Sequence, residues 1–181
     1  RMFFNTGAYA HLGAEVMALG MEHAGGVYRI AHTEITGSCV YTNLPVSGAM
    51  RGFGICQAIY GIERMMDRLA IELRRDPLDL RLQNCLIKND INCVGTKLTT
   101  STEIKKCLKL MKDHPVWKNR KQWKKEAGHF KVRGYGLSAV SNGIGYGKGL
   151  PDSAIARVEL LSDGRIRVYN SVTEMGQGNS H

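Results

Sequence analysis

Gly54-Ile55-Cys56-Gln57-Ala58-Ile59-Tyr60-Gly61-Ile62-Glu63-Arg64-Met65-Met66-Asp67-Arg68-Leu69-Ala70-Ile71-Glu72-Leu73 is the most periodic stretch of the chain. Its Ile55, Ile59, Ile62, Met66, Leu69 and Leu73 recur at alternating steps of four and three. That spacing lines them up as one apolar stripe on a helix of about twenty residues. Arg64, Arg68, Arg74 and Arg75 fall off the stripe and belong to a solvated face. Asp76-Pro77 then supplies an N-cap acceptor and a proline at the first helical position, which predicts a second helix reaching about Cys85.

Upstream of this pair the pattern is mixed. A strand is expected around Thr6-Gly7-Ala8-Tyr9, a short helix through residues 12–24, further strands after the Gly25-Gly26 break, and a β-branched strand over residues 35–41 ahead of Pro45. Downstream, Ser101 or Thr102 serves as N-cap of a third helix with Glu103 in its first turn, ending near Lys112 before Pro115. Residues 117–127 read as a further charged helix. Residues 132–141 and 154–173 turn β-rich, and Ser162-Asp163-Gly164 between two alternating segments predicts a hairpin. The fold class is therefore α+β, with partial mixed sheets and packed helices and no internal repeat. Composition shifts twice, giving a first unit over residues 1–113, a basic connector over 114–130 and a second unit over 131–181.

With 43% hydrophobic residues among 181, the chain has material for a core. No apolar run approaches the roughly 18 to 20 residues of a membrane span, so the chain reads as a soluble, cytoplasmic piece. Arg1-Met2-Phe3-Phe4 at one end and Asn179-Ser180-His181 at the other look like cuts within a longer protein. Cys39, Cys56, Cys85, Cys93 and Cys107 are an odd set with irregular gaps, which favours reduced thiols over a disulfide, zinc or iron–sulfur framework. Six scattered histidines show no metal-ligand spacing, so no side-chain metal site is expected.

The formal charge of +9 is concentrated. Residues 97–133 carry twelve Lys or Arg against only Glu103, Asp113 and Glu126, and the rest of the chain balances. Two readings follow: a basic module for nucleic acid, with Trp117, Trp123 and Phe130 as its aromatics, or a solvated helix face. Lys105, Lys106, Lys109 and Lys112 surround Ile104, Leu108 and Met111 as a solvated face would, and this reading is preferred.

Three glycine clusters remain: Arg51-Gly52-Phe53-Gly54, Gly143-Ile144-Gly145-Tyr146-Gly147-Lys148-Gly149 and Met175-Gly176-Gln177-Gly178. Glycine permits positive φ and lets a ligand approach backbone amides, so glycines flanking a side chain form a turn that presents it. The middle cluster lacks the Ser or Thr and the first glycine of a phosphate loop and does not fit GxGxxG. Its alternating glycines would share one face of an extended strand.

Taken together, four motifs resemble the molybdopterin-binding large subunit of the xanthine dehydrogenase and aldehyde oxidoreductase family of molybdenum hydroxylases. They are Gly7-Ala8-Tyr9; Thr42-Asn43-Leu44-Pro45 with Gly48-Ala49-Met50-Arg51-Gly52-Phe53-Gly54 and Gln57; Asp76-Pro77-Leu78-Asp79-Leu80-Arg81-Leu82-Gln83-Asn84; and Thr173-Glu174-Met175-Gly176-Gln177-Gly178. They occur in the family's order over nearly the whole chain. The resemblance implies that residues 1–113 end a first molybdopterin-binding domain and 131–181 begin a second, the fold spanning their junction.

By the same resemblance, Arg51 is catalytic at the molybdenum centre and Phe53 stacks a flat substrate. Gly52, Gly54, Gly176, Gln177 and Gly178 hold the molybdopterin, in its mononucleotide or cytosine dinucleotide form. Tyr146 is placed as a second substrate clamp, in a register left open against Gly145. Met50 stands where the family usually carries an aromatic residue.

The implied reaction hydroxylates a planar N-heterocycle, a purine among the candidates, or an aldehyde with water. Electrons would leave to 2Fe-2S and FAD groups on other domains or subunits of a homo-oligomer. The family's GGFGGK turn and late catalytic Glu are absent from these residues, so the chain alone is expected to be inactive. A non-catalytic family member is the alternative.

Overall fold

The computed structural model describes residues 1–143, 145, 151 and 153–179. The chain divides into two compact units, Arg1–Asn142 and Gly143–His181.

In the first unit, β1 (Met2–Gly7) and β2 (Gly37–Tyr41) pair in parallel, with Met2 opposite Gly37 and Asn5 opposite Val40. Parallel neighbours cannot be joined by a tight turn, so the chain crosses over through α1 (Gly13–Glu22). The helix lies close to the strands: a Cβ at Gly13 would stand 2.2 Å from Thr6 Cγ2, and one at Gly37 would stand 2.5 Å from the Met21 sulfur. Thr6 is itself buried, and its hydroxyl donates to Val40 O at 3.1 Å, so the polar atom is satisfied inside the strand pair.

The periodic stretch forms α2 (Ile55–Glu72), followed by α3 (Pro77–Asn84). Ile55, Ile59 and Met66 are buried as the stripe predicts, with Ile62 partly so. Leu69 and Leu73 are exposed instead, and Ala58, Glu63 and Ala70 complete the buried face. The departure has a spatial cause. The side of α2 bearing Leu69 borders an open groove of about 500 Å³ shared with Tyr28, Ile30, Ile62 and Met65. α3 begins as expected: Asp76 accepts from Leu78 N at 2.8 Å with Pro77 in the first turn.

Around α2 and α3 gathers a core of Val27, Tyr28, Met66, Ala70, Leu78, Leu80, Cys85, Leu108, Trp117 and Ala139. α4 (Ile104–Asp113) contributes Leu108, with Ile104 and Met111 packed beside it and Lys105, Lys106, Lys109 and Lys112 exposed. Its N-cap is Glu103, one or two residues past the Ser101 or Thr102 expected. The charged helix expected over residues 117–127 is two short ones, α5 (Pro115–Lys118) and α6 (Arg120–Lys125), broken at Asn119.

Strands expected after Gly25-Gly26 shrink to a single antiparallel bridge between Tyr28 and Cys85. Residues 132–141, expected to be β, form no strand. Alternating residues become a strand only when a neighbouring backbone completes their hydrogen bonds, and none among the described residues does so here. Leu137 and Ala139 pack against the core instead.

The second unit contains β3 (Ala156–Leu160) and β4 (Ile166–Asn170), an antiparallel hairpin in register from Ala156 opposite Asn170 to Leu160 opposite Ile166. Its turn is the predicted one: Gly164 has φ +82° and donates to Leu161 O at 3.0 Å. Among the described residues no helix is long and apolar enough to cross a membrane.

Candidate functional site

The Arg51-Gly52-Phe53-Gly54 turn is the N-terminal lead into α2. Gly52, Phe53 and Gly54 take φ of +99°, +47° and +97° in succession. Phe53 N donates to Met50 O at 2.7 Å and Ile55 N to Gly52 O at 2.9 Å, so the chain coils tightly before the helix starts. Left-handed backbone is costly for a side-chain-bearing residue, and Phe53 holds it between two glycines.

Gly54 has a second reason to lack a side chain. A Cβ there would lie 2.0 Å from Val16 O, so the turn rests directly on α1. Arg51 is exposed and Phe53 half-buried. Met50, in the usual aromatic position, is 81% exposed.

The Met175-Gly176-Gln177-Gly178 turn belongs to the second unit. Gly176 and Gly178 take φ of +94° and +89°. Their amides converge on one oxygen, Glu174 Oε1, at 2.5 and 3.2 Å. Gln177 folds back on the turn: its Oε1 accepts from Met175 N at 2.6 Å and its Nε2 donates to Thr173 O at 2.6 Å.

The predicted residues thus form two presenting turns, one in each compact unit. Tyr146 and most of the middle glycine cluster lie outside the described residues.

Between α2 and α3 lies a buried polar cluster that the sequence pattern did not single out. Glu63 of α2 accepts from the Tyr28 hydroxyl and from Arg81 Nε at 2.9 Å. Arg81 also donates to Asp67 Oδ1 at 2.9 Å and to Pro77 O at 3.1 Å. Burial first, and then the hydrogen bond to Glu63, push the Tyr28 hydroxyl well above the usual phenol range. A sequence signal existed in part: Glu63 sits between buried Ile59 and Met66, on the inner side of the helix.

In the basic segment Trp117 turns inward and Trp123 faces a cation, while Phe130 is almost fully exposed. Trp117 is buried with the Arg120 guanidinium 3.8 Å from its ring centroid, and Trp123 is covered by Arg133 at 5.0 Å. Arg120 further pairs with Asp76, tying the connector to the cap of α3. Among the described residues, no group of three or more His, Cys, Asp or Glu side chains gathers to hold a metal ion.

Family models described as the molybdopterin cofactor-binding domain match residues 1–85 and 110–181, one carrying each glycine turn. The chain belongs to this molybdopterin-binding family of xanthine dehydrogenase and aldehyde oxidoreductase relatives. It is 34% identical over 176 residues to a putative xanthine dehydrogenase molybdenum-binding subunit of Escherichia coli, covering 96% of this chain and 23% of that protein. A nicotinate dehydrogenase large molybdopterin subunit of Eubacterium barkeri is 41% identical over 99 residues, which is 55% of this chain and 22% of that protein. The crystal structure of the aldehyde oxidoreductase from Desulfovibrio desulfuricans superposes with a TM-score of 0.68 at 26% identity, over 92% of this chain and 18% of that one. The chain therefore spans less than a quarter of the length of these relatives.

Proposed function

We propose that the chain is part of the large subunit of a molybdenum hydroxylase, in which the Met175-Gly176-Gln177-Gly178 turn holds molybdopterin and the Arg51-Gly52-Phe53-Gly54 turn serves a planar substrate. The donor set fits such a group. Gln177 is presented between Gly176 and Gly178, both in left-handed backbone, and its side-chain amide supplies both donors and an acceptor to such a group. This presentation of one amide side chain by two positive-φ glycines is the single observation that carries the reading.

When bound, the cofactor supplies the oxidation, adding oxygen from water to an electron-poor carbon. The chain's own residues position the partners. Arg51 would contribute a fixed positive charge and planar donors to the bound cofactor and substrate. Phe53, held in left-handed backbone, offers a ring face on which a planar substrate stacks. Tyr146 is proposed as a second substrate clamp.

The substrate is an aromatic N-heterocycle, a purine among the candidates, or an aldehyde. Electrons pass to 2Fe-2S and FAD groups carried by other domains or subunits of a cytoplasmic homo-oligomer. Residues 114–130 connect the two molybdopterin-binding domains. The isolated 181 residues are inactive, since the remaining catalytic groups lie elsewhere in the protein.

Molybdenum and pterin analysis of the purified full-length protein tests the reading, together with oxidation assays on hypoxanthine, nicotinate and benzaldehyde. Stoichiometric cofactor with turnover of one of the three is the expected result. Cofactor-free protein from a host that loads other molybdenum hydroxylases would overturn it.

A further inference from the structure

We infer that Glu174 is a positioning residue of the cofactor turn, an inference that rests on the proposed role of that turn. Glycine is the residue least restrained by its own sterics, so a turn with two glycines needs an outside hold to keep one shape. Glu174 provides it. A single carboxylate oxygen, Oε1, accepts from Gly176 N at 2.5 Å and from Gly178 N at 3.2 Å, and so bridges both glycines on either side of Gln177. Two amides on an ionised acceptor form the nest-like arrangement that backbone uses for anions, with charge-assisted bonds stronger than neutral ones.

The Gln177 amide is held differently. Each end makes one neutral bond, to Met175 N and to Thr173 O, and both of these partners can be exchanged for a ligand's acceptor and donor. When Gln177 swings to the cofactor, Glu174 still grips the glycines and the turn keeps its form. The carboxylate touches neither cofactor nor substrate in this arrangement; it acts through the backbone.

Two measurements on the full-length protein test this. In Glu174→Ala the molybdenum and pterin content per polypeptide is expected to fall about tenfold, the scale of losing a charge-assisted hold. Glu174→Gln keeps most of the cofactor, because its amide oxygen still accepts from both glycines. In cofactor-free protein, hydrogen exchange at the Gly176 and Gly178 amides is expected to quicken about tenfold in Glu174→Ala. The melting temperature reports whether the variant folds.

Wild-type cofactor content in Glu174→Ala, unchanged exchange at the two glycines, or equal loss in Glu174→Gln and Glu174→Ala overturns the assignment. Full cofactor content in Gln177→Ala instead sinks the underlying proposal that this turn holds the cofactor. The exchange measurement then still decides whether Glu174 shapes it.

Discussion

Glu63 of α2 and Arg81 of α3 form a buried ion pair, Arg81 Nε donating to Glu63 Oε2 at 2.9 Å, with the arginine side chain wholly shielded from solvent. Glu63 sits on the helix that follows the Arg51-Gly52-Phe53-Gly54 turn, so the pair ties that helix to α3. Removing one partner strands a charge in the core. Arg81→Ala or Glu63→Ala is expected to cost about 3–5 kcal/mol in urea unfolding of the full protein. The double change Glu63→Ala with Arg81→Ala should cost less than the two single losses added, and strict additivity would show that the two side chains are not coupled.

Asp76 serves three partners at once, the amides of Leu78 at 2.8 Å and Asp79 at 3.4 Å and the Arg120 guanidinium. Asp76→Ala loses both the cap and the ion pair and is expected to destabilise by about 1–2 kcal/mol. Asp76→Asn keeps the cap acceptor and loses only the charge, so its midpoint should lie between wild type and Asp76→Ala. Identical midpoints for the two variants would mean that the cap contributes nothing.

In the β3–β4 turn, the Asp163 carboxyl is held below its usual value of 3.8, first by the Arg165 side-chain bond and then by the Arg165 amide. A depressed carboxylate contributes while ionised. Its contribution is therefore present above the unfolded value near 3.8 and is lost as pH falls through the lower folded value. Carbon-detected NMR titration of Asp163 should give a midpoint below 3.8 that rises in Arg165→Ala. A midpoint that stays put in Arg165→Ala excludes the side-chain bond as its cause.

Phe53 bears on chemistry rather than stability. In the full-length enzyme Phe53→Ala is expected to raise KM for a planar substrate about tenfold, while a substrate without a ring is affected less. Equal KM for the two enzymes on the ring substrate removes the stacking role. Phe53→Gly should also relieve the φ of +47°, so its melting temperature should fall less than that of Phe53→Ala.

Much of the local structure was legible because it depends on neighbours in the chain. The α2 periodicity, the Asp76-Pro77 start of α3 and the Gly164 turn each follow from side chains or φ preferences within a few residues. The family membership was equally legible, since motif spacing survives without knowledge of contacts. Residues 132–141 depart from expectation for the opposite reason. Their alternation is compatible with a strand, but pairing depends on a backbone partner that no local pattern specifies.

The α2 and α3 helices, the Asp76 cap and the Gly164 turn were readable from the residues alone, because they are short-range properties of sterics and hydrogen bonding. Packing between distant segments set Glu63 and Arg81 face to face in the core and laid Gly54 against Val16. A charged residue on a helix looks the same in sequence whether it meets water or a buried partner. Three-dimensional packing brings the partner within bonding distance and removes the water.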